Sequence, residues 1–179
     1  MHKNLKKILI DEESIIEKSK ELGKAITNRY KDDKKPPIFI ALLKGSVPFL
    51  AELIKYVDLD IEIDFMDVSS YGGGTESTRD IRILKDLDRS VKNKSIIIVE
   101  DIVDTGRTLV AVKKILENKG ASEIAVVSLL DKPSRREVEI DVEFIGFEIP
   151  NEFVVGYGLD YNEKYRNLPY VGVLNDDMY

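Results

Sequence analysis

An α/β fold, with a mainly parallel sheet flanked by helices, is what the sequence predicts, and three observations carry the prediction. Apolar runs and helical patterns alternate along the 179 residues. Three of the runs are continuously apolar instead of alternating, as expected for strands buried on both faces between helices. Two of those runs are followed by a polar, glycine-containing turn and then a helical pattern, the connection a parallel sheet requires.

The elements follow in order. Ile15, Ile16, Leu22, Ala25 and Ile26 fall at helical spacing, with Asp11 or Ser14 placed to cap the start and a charged exit before Pro36-Pro37. Ile38-Phe39-Ile40-Ala41-Leu42-Leu43 reads as a buried strand, Lys44-Gly45-Ser46 as a tight loop, and Val47, Leu50, Leu53, Ile54 and Val57 as one helical face. Ile61, Ile63 and Phe65 alternate as a strand that leads to Ser69-Ser70-Tyr71-Gly72-Gly73-Gly74, and alternation resumes at Ile81 and Ile83. A flexible loop between two strands fits that stretch. Residues 95–99 are the most apolar strand candidate, residues 106–119 a helix with Leu109, Val112, Ile115 and Leu116 on one face, and Gly120 its stop. Residues 124–130 form the next strand, with further candidates at 142–147, 153–155 and 171–174. No fixed-period repeat or linker divides the chain, so residues 1–179 read as a single domain, with the C-terminal strands and the flexible loop forming a small hood and lid over the sheet's edge.

Composition narrows the function. Lys and Arg number 27 against 33 Asp and Glu, a net charge of -6, whereas a dedicated nucleic-acid binder needs an excess of cations to neutralise phosphates. No nucleic-acid partner is expected. Zero Cys excludes disulfides and thiolate metal sites. The start, Met1-His2-Lys3-Asn4-Leu5-Lys6-Lys7-Ile8, turns acidic at Asp11 before any apolar stretch long enough for a signal core or a membrane span, so a cytoplasmic protein without a membrane partner is expected. His2 is the sole histidine and stands in a terminus expected to fray, which argues against a His-based triad or metal site.

In open α/β sheets ligands bind beyond the carboxyl ends of the strands. There the chain carries Val99-Glu100-Asp101-Ile102-Val103-Asp104-Thr105-Gly106-Arg107-Thr108, three acids, two hydroxyls and a glycine between a buried strand and a helix. Backbone N–H groups of residues 104–108 can converge on an anion at the helix start, Gly106 leaving it room, and the helix dipole favours a phosphate there by about 0.3–2 kcal/mol. Glu100 and Asp101 would repel a bare phosphate and instead suit hydroxyl donors or a divalent cation. A diol beside a phosphate is a sugar phosphate. Lys44-Gly45-Ser46 repeats the arrangement after another strand and suits a second anion, although an ordinary turn with an exposed Lys accounts for it equally well; P-loop spacing is missing. Gly72-Gly73-Gly74 lacks dinucleotide-loop spacing and suits either a lid that closes over ligand or a disordered hairpin. Lys132, within Asp131-Lys132-Pro133-Ser134-Arg135-Arg136, reaches the same edge or belongs to a solvated charge run, and Phe153 is either a stacking platform or core.

These blocks, with Phe153-Val154-Val155-Gly156-Tyr157-Gly158-Leu159-Asp160-Tyr161-Asn162-Glu163, resemble the purine phosphoribosyltransferases of the bacterial hypoxanthine (hypoxanthine-guanine) type over nearly the whole chain. Only the 100–108 block is shared with other phosphoribosyltransferases. The resemblance implies the type I phosphoribosyltransferase fold and the joining of a purine base to 5-phosphoribosyl-1-pyrophosphate, giving a nucleoside 5′-monophosphate and pyrophosphate with Mg²⁺. It implies that Glu100 and Asp101 hold the ribose hydroxyls while Asp104, Thr105, Gly106, Arg107 and Thr108 cradle the 5-phosphate. Asp104 is implied as general base or acid at purine N7. Lys44, Gly45 and Arg166 are implied for pyrophosphate, with a non-proline cis peptide between Leu43 and Lys44, and Ser70 and Tyr71 for the lid. Lys132, Phe153, Val154 and Asp160 are implied for the purine, and Glu100, Asp101 and Asp160 for Mg²⁺. Purine salvage in the cytoplasm by a homodimer or homotetramer is the implied setting. One departure is Thr78-Arg79-Asp80, in a stretch where bacterial relatives often carry Ser/Thr-Gly, which bears on lid geometry.

Two other readings stay open on sequence: a regulator that keeps the sugar-phosphate site and binds RNA or DNA, against which the acidic charge and the extra site blocks count, and a phosphoribosyltransferase for xanthine or a pyrimidine, opposed only by Lys132 and the Phe153 block.

Overall fold

The computed structural model describes residues 1–70 and 81–178. Strand β1 (Leu5–Ile10) leads into helix α1 (Glu12–Tyr30). The Asp11 carboxylate accepts the Ser14 N–H, and Glu12 and Glu13 occupy the first turn, where negative charge complements the helix dipole. Ile15, Leu22, Ile26 and Tyr30 are the large side chains it buries. Strand β2 (Ile38–Leu42) is buried at every position and runs into helix α2 (Val47–Leu53), whose pattern continues as a short 3₁₀ turn, Ile54–Tyr56, in place of the longer helix expected to Val57. Then come β3 (Glu62–Ser70), β4 (Ile81–Lys85), β5 (Ser95–Val103), helix α3 (Arg107–Asn118), β6 (Glu123–Asp131), β7 (Phe144–Glu148), β8 (Val154–Val155) and β9 (Val171–Leu174).

Six strands form the main sheet in the order β4-β3-β2-β5-β6-β7, parallel except for the β3–β4 pair. Continuous apolar runs meet two cores, as their pattern predicts. Phe39, Ala41, Ile97, Val99, Ala125 and Val127 face the core shared with α1 and α2; Ile38, Ile40, Ile96, Ile98 and Val126 face the core shared with Leu109, Val112 and Leu116 of α3. The chain leaves β2 toward β3 on one side and β5 toward β6 on the other, so the strand order reverses between β2 and β5. Their carboxyl ends flank the crevice such a reversal opens.

A second sheet, β1-β9-β8, is antiparallel and makes the hood. Its first strand corrects the expectation of a frayed start. Leu5 and Ile10 are buried, the His2 N–H donates to the Tyr170 hydroxyl at 2.9 Å, and the His2 ring meets Tyr165 edge-on at 5.3 Å. The strand escaped notice because register shifts after Leu5 and after Ile8 break the two-residue period by which strands are read. Strand β5 also runs on beyond its apolar stretch to Val103, because Glu100, Ile102 and Val103 continue to pair with Ser128, Leu130 and Asp131 of β6.

Candidate active site

Because β5 stays extended to Val103, Glu100 and Asp101 are strand residues held in register, and only residues 104–106 turn the chain into α3. Gly106 adopts φ +83°, a left-handed conformation that opens the helix start. The loop is braced from the segment after β6: Arg136 Nη1 donates to the Asp104 carbonyl at 2.7 Å and the Glu137 N–H to the Thr105 carbonyl at 3.0 Å. Glu100, Val103, Asp104, Thr105, Gly106 and Thr108 line a hollow of about 100 Å³, where the first N–H groups and the dipole of α3 favour a small anion.

A larger cavity of about 470 Å³ adjoins it, with Ile102 and Asp104 lining both. Its other walls include Lys132, Arg135, Phe153, Val154, Leu159 and Asp160. Lys132 is only 7% exposed: its N–H donates to the Val103 carbonyl at 2.9 Å and its ammonium to the Glu152 carbonyl at 2.7 Å. Burial lowers its pKa, against the opposing pull of Asp104. Phe153 is 36% exposed and meets Tyr161 edge-on at 5.6 Å. The Val154 side chain is buried in the core, which leaves its main chain to border the cavity.

The third side comes from the loop after β2. Its Leu43–Lys44 peptide is cis. A Cβ on Gly45 would lie 1.6 Å from Asp101 Oδ2, and one on Gly158, itself at φ +100°, would lie 1.9 Å from the Gly45 carbonyl oxygen. Three segments therefore close on one another only because two of them lack side chains. Beyond, Lys44 pairs with Glu163 at 3.0 Å, and Arg166 bridges Asp160 at 2.9 Å and the Gly158 carbonyl at 2.8 Å. Lys44 holds the Glu163 carboxyl below its ordinary pKa. Burial pushes Asp101 up to about 6, outweighing the attraction of Arg166, and pushes Glu100 well above the usual range, with the neighbouring Asp101 charge adding to it.

A model of the phosphoribosyl transferase domain matches residues 12–162. The chain belongs to the phosphoribosyltransferase family. It is 56% identical, over its whole length and 96% of the relative's, to a hypoxanthine-guanine phosphoribosyltransferase of Lactococcus lactis. A solved hypoxanthine phosphoribosyltransferase of Staphylococcus aureus superposes with a TM-score of 0.94 at 49% identity, covering all of this chain and 96% of that one. One from Trypanosoma cruzi, in complex with the product IMP, gives 0.94 at 35% identity and covers 100% and 99%. In this phosphoribosyltransferase, then, the mainly parallel sheet and hood form a type I fold, and the cis peptide expected from the resemblance is present.

Glu100, Asp101, Asp104, Thr105, Gly106, Thr108, Lys44, Gly45, Lys132, Phe153, Val154, Asp160 and Arg166 come together around the crevice between sheet and hood, whereas the Arg107 side chain is exposed and paired with Glu137. The Ser70 side chain, Tyr71, Gly72-Gly73-Gly74 and Thr78-Arg79-Asp80 lie outside the described residues. Lys132 is no member of a solvated charge run, since the chain folds it inward against the Glu152 carbonyl. Glu100, Asp101 and Asp160 do not converge as expected of a metal-holding trio: among the described residues no group of three or more His, Cys, Asp or Glu is arranged to hold an ion. Sequence reasoning passed over Arg135, Ile102 and Glu163. Ile102 falls two residues after Glu100 on the same face of β5, a signal that was present; Arg135 stood in a charge run whose partner, Asp104, is distant in sequence.

Proposed function

We propose that the chain transfers 5-phosphoribosyl from 5-phosphoribosyl-1-pyrophosphate to hypoxanthine and/or guanine, giving IMP or GMP and pyrophosphate. The single observation that carries this is the pair of adjoining cavities joined at Asp104 and Ile102: one is small and set at a helix start, the other is large and walled by a buried ammonium and a half-exposed aromatic ring. A nucleoside monophosphate, with a phosphate and a planar base on either side of a ribose, fits one such small anion hollow beside one larger cavity.

In this reading the N–H groups and hydroxyls of Thr105, Gly106, Arg107 and Thr108 hold the 5-phosphate, and Glu100 and Asp101 accept hydrogen bonds from the ribose hydroxyls. Lys44, Gly45 and Arg166 hold pyrophosphate. The base stacks on Phe153 beside the main chain of Val154, with Asp160 at its edge. The Lys132 ammonium donates to purine O6. A 6-amino group offers no such acceptor and would leave a buried ammonium N–H without a partner, which selects against adenine. Asp104 exchanges the proton at purine N7 as the glycosidic bond forms, a role typically worth about 10²–10⁴ in rate. Pyrophosphate departs from an oxocarbenium-like ribose, and no covalent link to the protein is needed.

Carboxylates are the hard oxygen donors Mg²⁺ requires, and it is commonly held by one or two of them together with substrate phosphates, not by an all-protein cage. Glu100, Asp101 and Asp160 suit that shared mode, and the raised pKa values of the first two mark a charge balance a cation improves. When bound, Mg²⁺ supplies charge compensation for the pyrophosphate leaving group. The proposal extends to a cytoplasmic setting, supported by the N-terminal sequence, and to a homodimer or homotetramer, supported by the family resemblance.

A panel of hypoxanthine, guanine, xanthine, adenine and orotate, each with 5-phosphoribosyl-1-pyrophosphate and Mg²⁺, tests the reading by ultraviolet absorbance. Turnover of hypoxanthine or guanine, with adenine and orotate inert, is expected. Failure of both oxopurines, or preference for xanthine or orotate, overturns it.

A further inference from the structure

The loop that carries Asp104 is held in two distinct ways. Its backbone is fixed by Arg136, whose guanidinium binds the Asp104 carbonyl at one end and the Asp131 carboxylate at the other, and by the Glu137 N–H on the Thr105 carbonyl. Its carboxylate is contacted separately, by Arg135 Nε on Oδ1 at 3.1 Å. Since the backbone is already fixed, the Arg135 contact is not needed to form the loop. What it restricts is the side-chain torsion of a carboxylate that stays 40% exposed.

Arg135 is also delivered to this position by the purine wall itself. It ends the 3₁₀ turn Pro133–Arg135, which begins directly after Lys132, and its N–H donates to the Lys132 carbonyl at 3.0 Å. Lys132, Arg135 and Asp104 thus line one cavity. We propose that Arg135 is a positioning residue that fixes Asp104 through one carboxylate oxygen so that the other faces the purine ring nitrogen. This rests on the proton-transfer role assigned to Asp104 above. An arginine suits the task because its planar, permanently charged fork binds a carboxylate in a defined orientation, and preorganised groups avoid reorganisation as the transition state forms.

The test is steady-state kinetics of the full chain with hypoxanthine, 5-phosphoribosyl-1-pyrophosphate and Mg²⁺, comparing Arg135→Gln, Arg135→Lys, Asp104→Asn and the Arg135→Gln/Asp104→Asn double variant. Arg135→Gln is expected to lower kcat about tenfold with KM for 5-phosphoribosyl-1-pyrophosphate within about twofold. Arg135→Lys should recover part of the loss, and the double variant should be no slower than Asp104→Asn. An unchanged kcat in Arg135→Gln, or an equal further loss in the Asp104→Asn background, overturns the positioning role. Unchanged turnover in Asp104→Asn instead removes the underlying reading, which keeps the two failures apart.

Discussion

Asp104, Gly45 and Lys132 each illustrate how much chemistry is settled by the surroundings of one side chain. Asp104→Asn keeps the size and removes the proton acceptor, so we expect kcat to fall by about 10²–10⁴ while affinity for 5-phosphoribosyl-1-pyrophosphate, measured by calorimetry, stays within about threefold. Gly45→Ala is expected to fail differently. Its methyl would occupy the space of Asp101 Oδ2, so the variant should lose affinity for 5-phosphoribosyl-1-pyrophosphate before it loses its fold, checked by calorimetry beside circular dichroism. The sequence marked Gly45 as a place for an anion; that it also makes room for a carboxylate from another strand was hidden, because Asp101 is far away along the chain. Lys132 was equally ambiguous. Hydrophilic sequence neighbours suggested solvent, and only the fold of residues 151–154 over it shows the ammonium to be buried.

At the scale of elements, the end of β5 is built at some cost to stability. Glu100 and Asp101 have folded pKa values above those of unfolded carboxylates, Asp101 at about 6, so the folded chain binds more protons than the unfolded one between about pH 4 and pH 6. Ligand-free stability therefore falls as pH rises through that window. Glu100→Gln should raise the melting temperature at pH 8, and the gap to the wild type should close as the pH is lowered toward 4; differential scanning calorimetry at a series of pH values checks it. Strand β1 makes the opposite contribution. Leu5 is buried in the hood against Val155 and Leu174, and Leu5→Ala should cost about 2–5 kcal/mol, read from denaturant unfolding. Long periodic elements such as α1 and α3 were legible because one helix face repeats over several turns. β1 was not, since its register shifts erase the repeat, and β5 read short because Glu100 and Asp101 carry no apolar signal although they lie within the strand.

For the whole molecule, the crevice lies between two sheets that share little chain, so a ligand that touches both should couple them. IMP at 100 times its dissociation constant is expected to stabilise the folded chain by about 2.7 kcal/mol, or roughly 5–10 °C in Tm, with amide-exchange protection rising in residues 100–108 and 151–160 together. Protection confined to one group would mean the two sheets do not share a ligand. The alternation of buried strands and helices, the polar junctions at the strand ends and the exclusion of cysteine and histidine chemistry were all determined by the amino-acid sequence, because each depends on near neighbours in the chain and on composition. The tertiary structure alone decided that the first strand completes the hood, that Gly45, Asp101 and Gly158 close on one another, and that Arg135 meets Asp104. Those contacts join residues tens to more than a hundred positions apart, and no local periodicity encodes a distance that only packing can set.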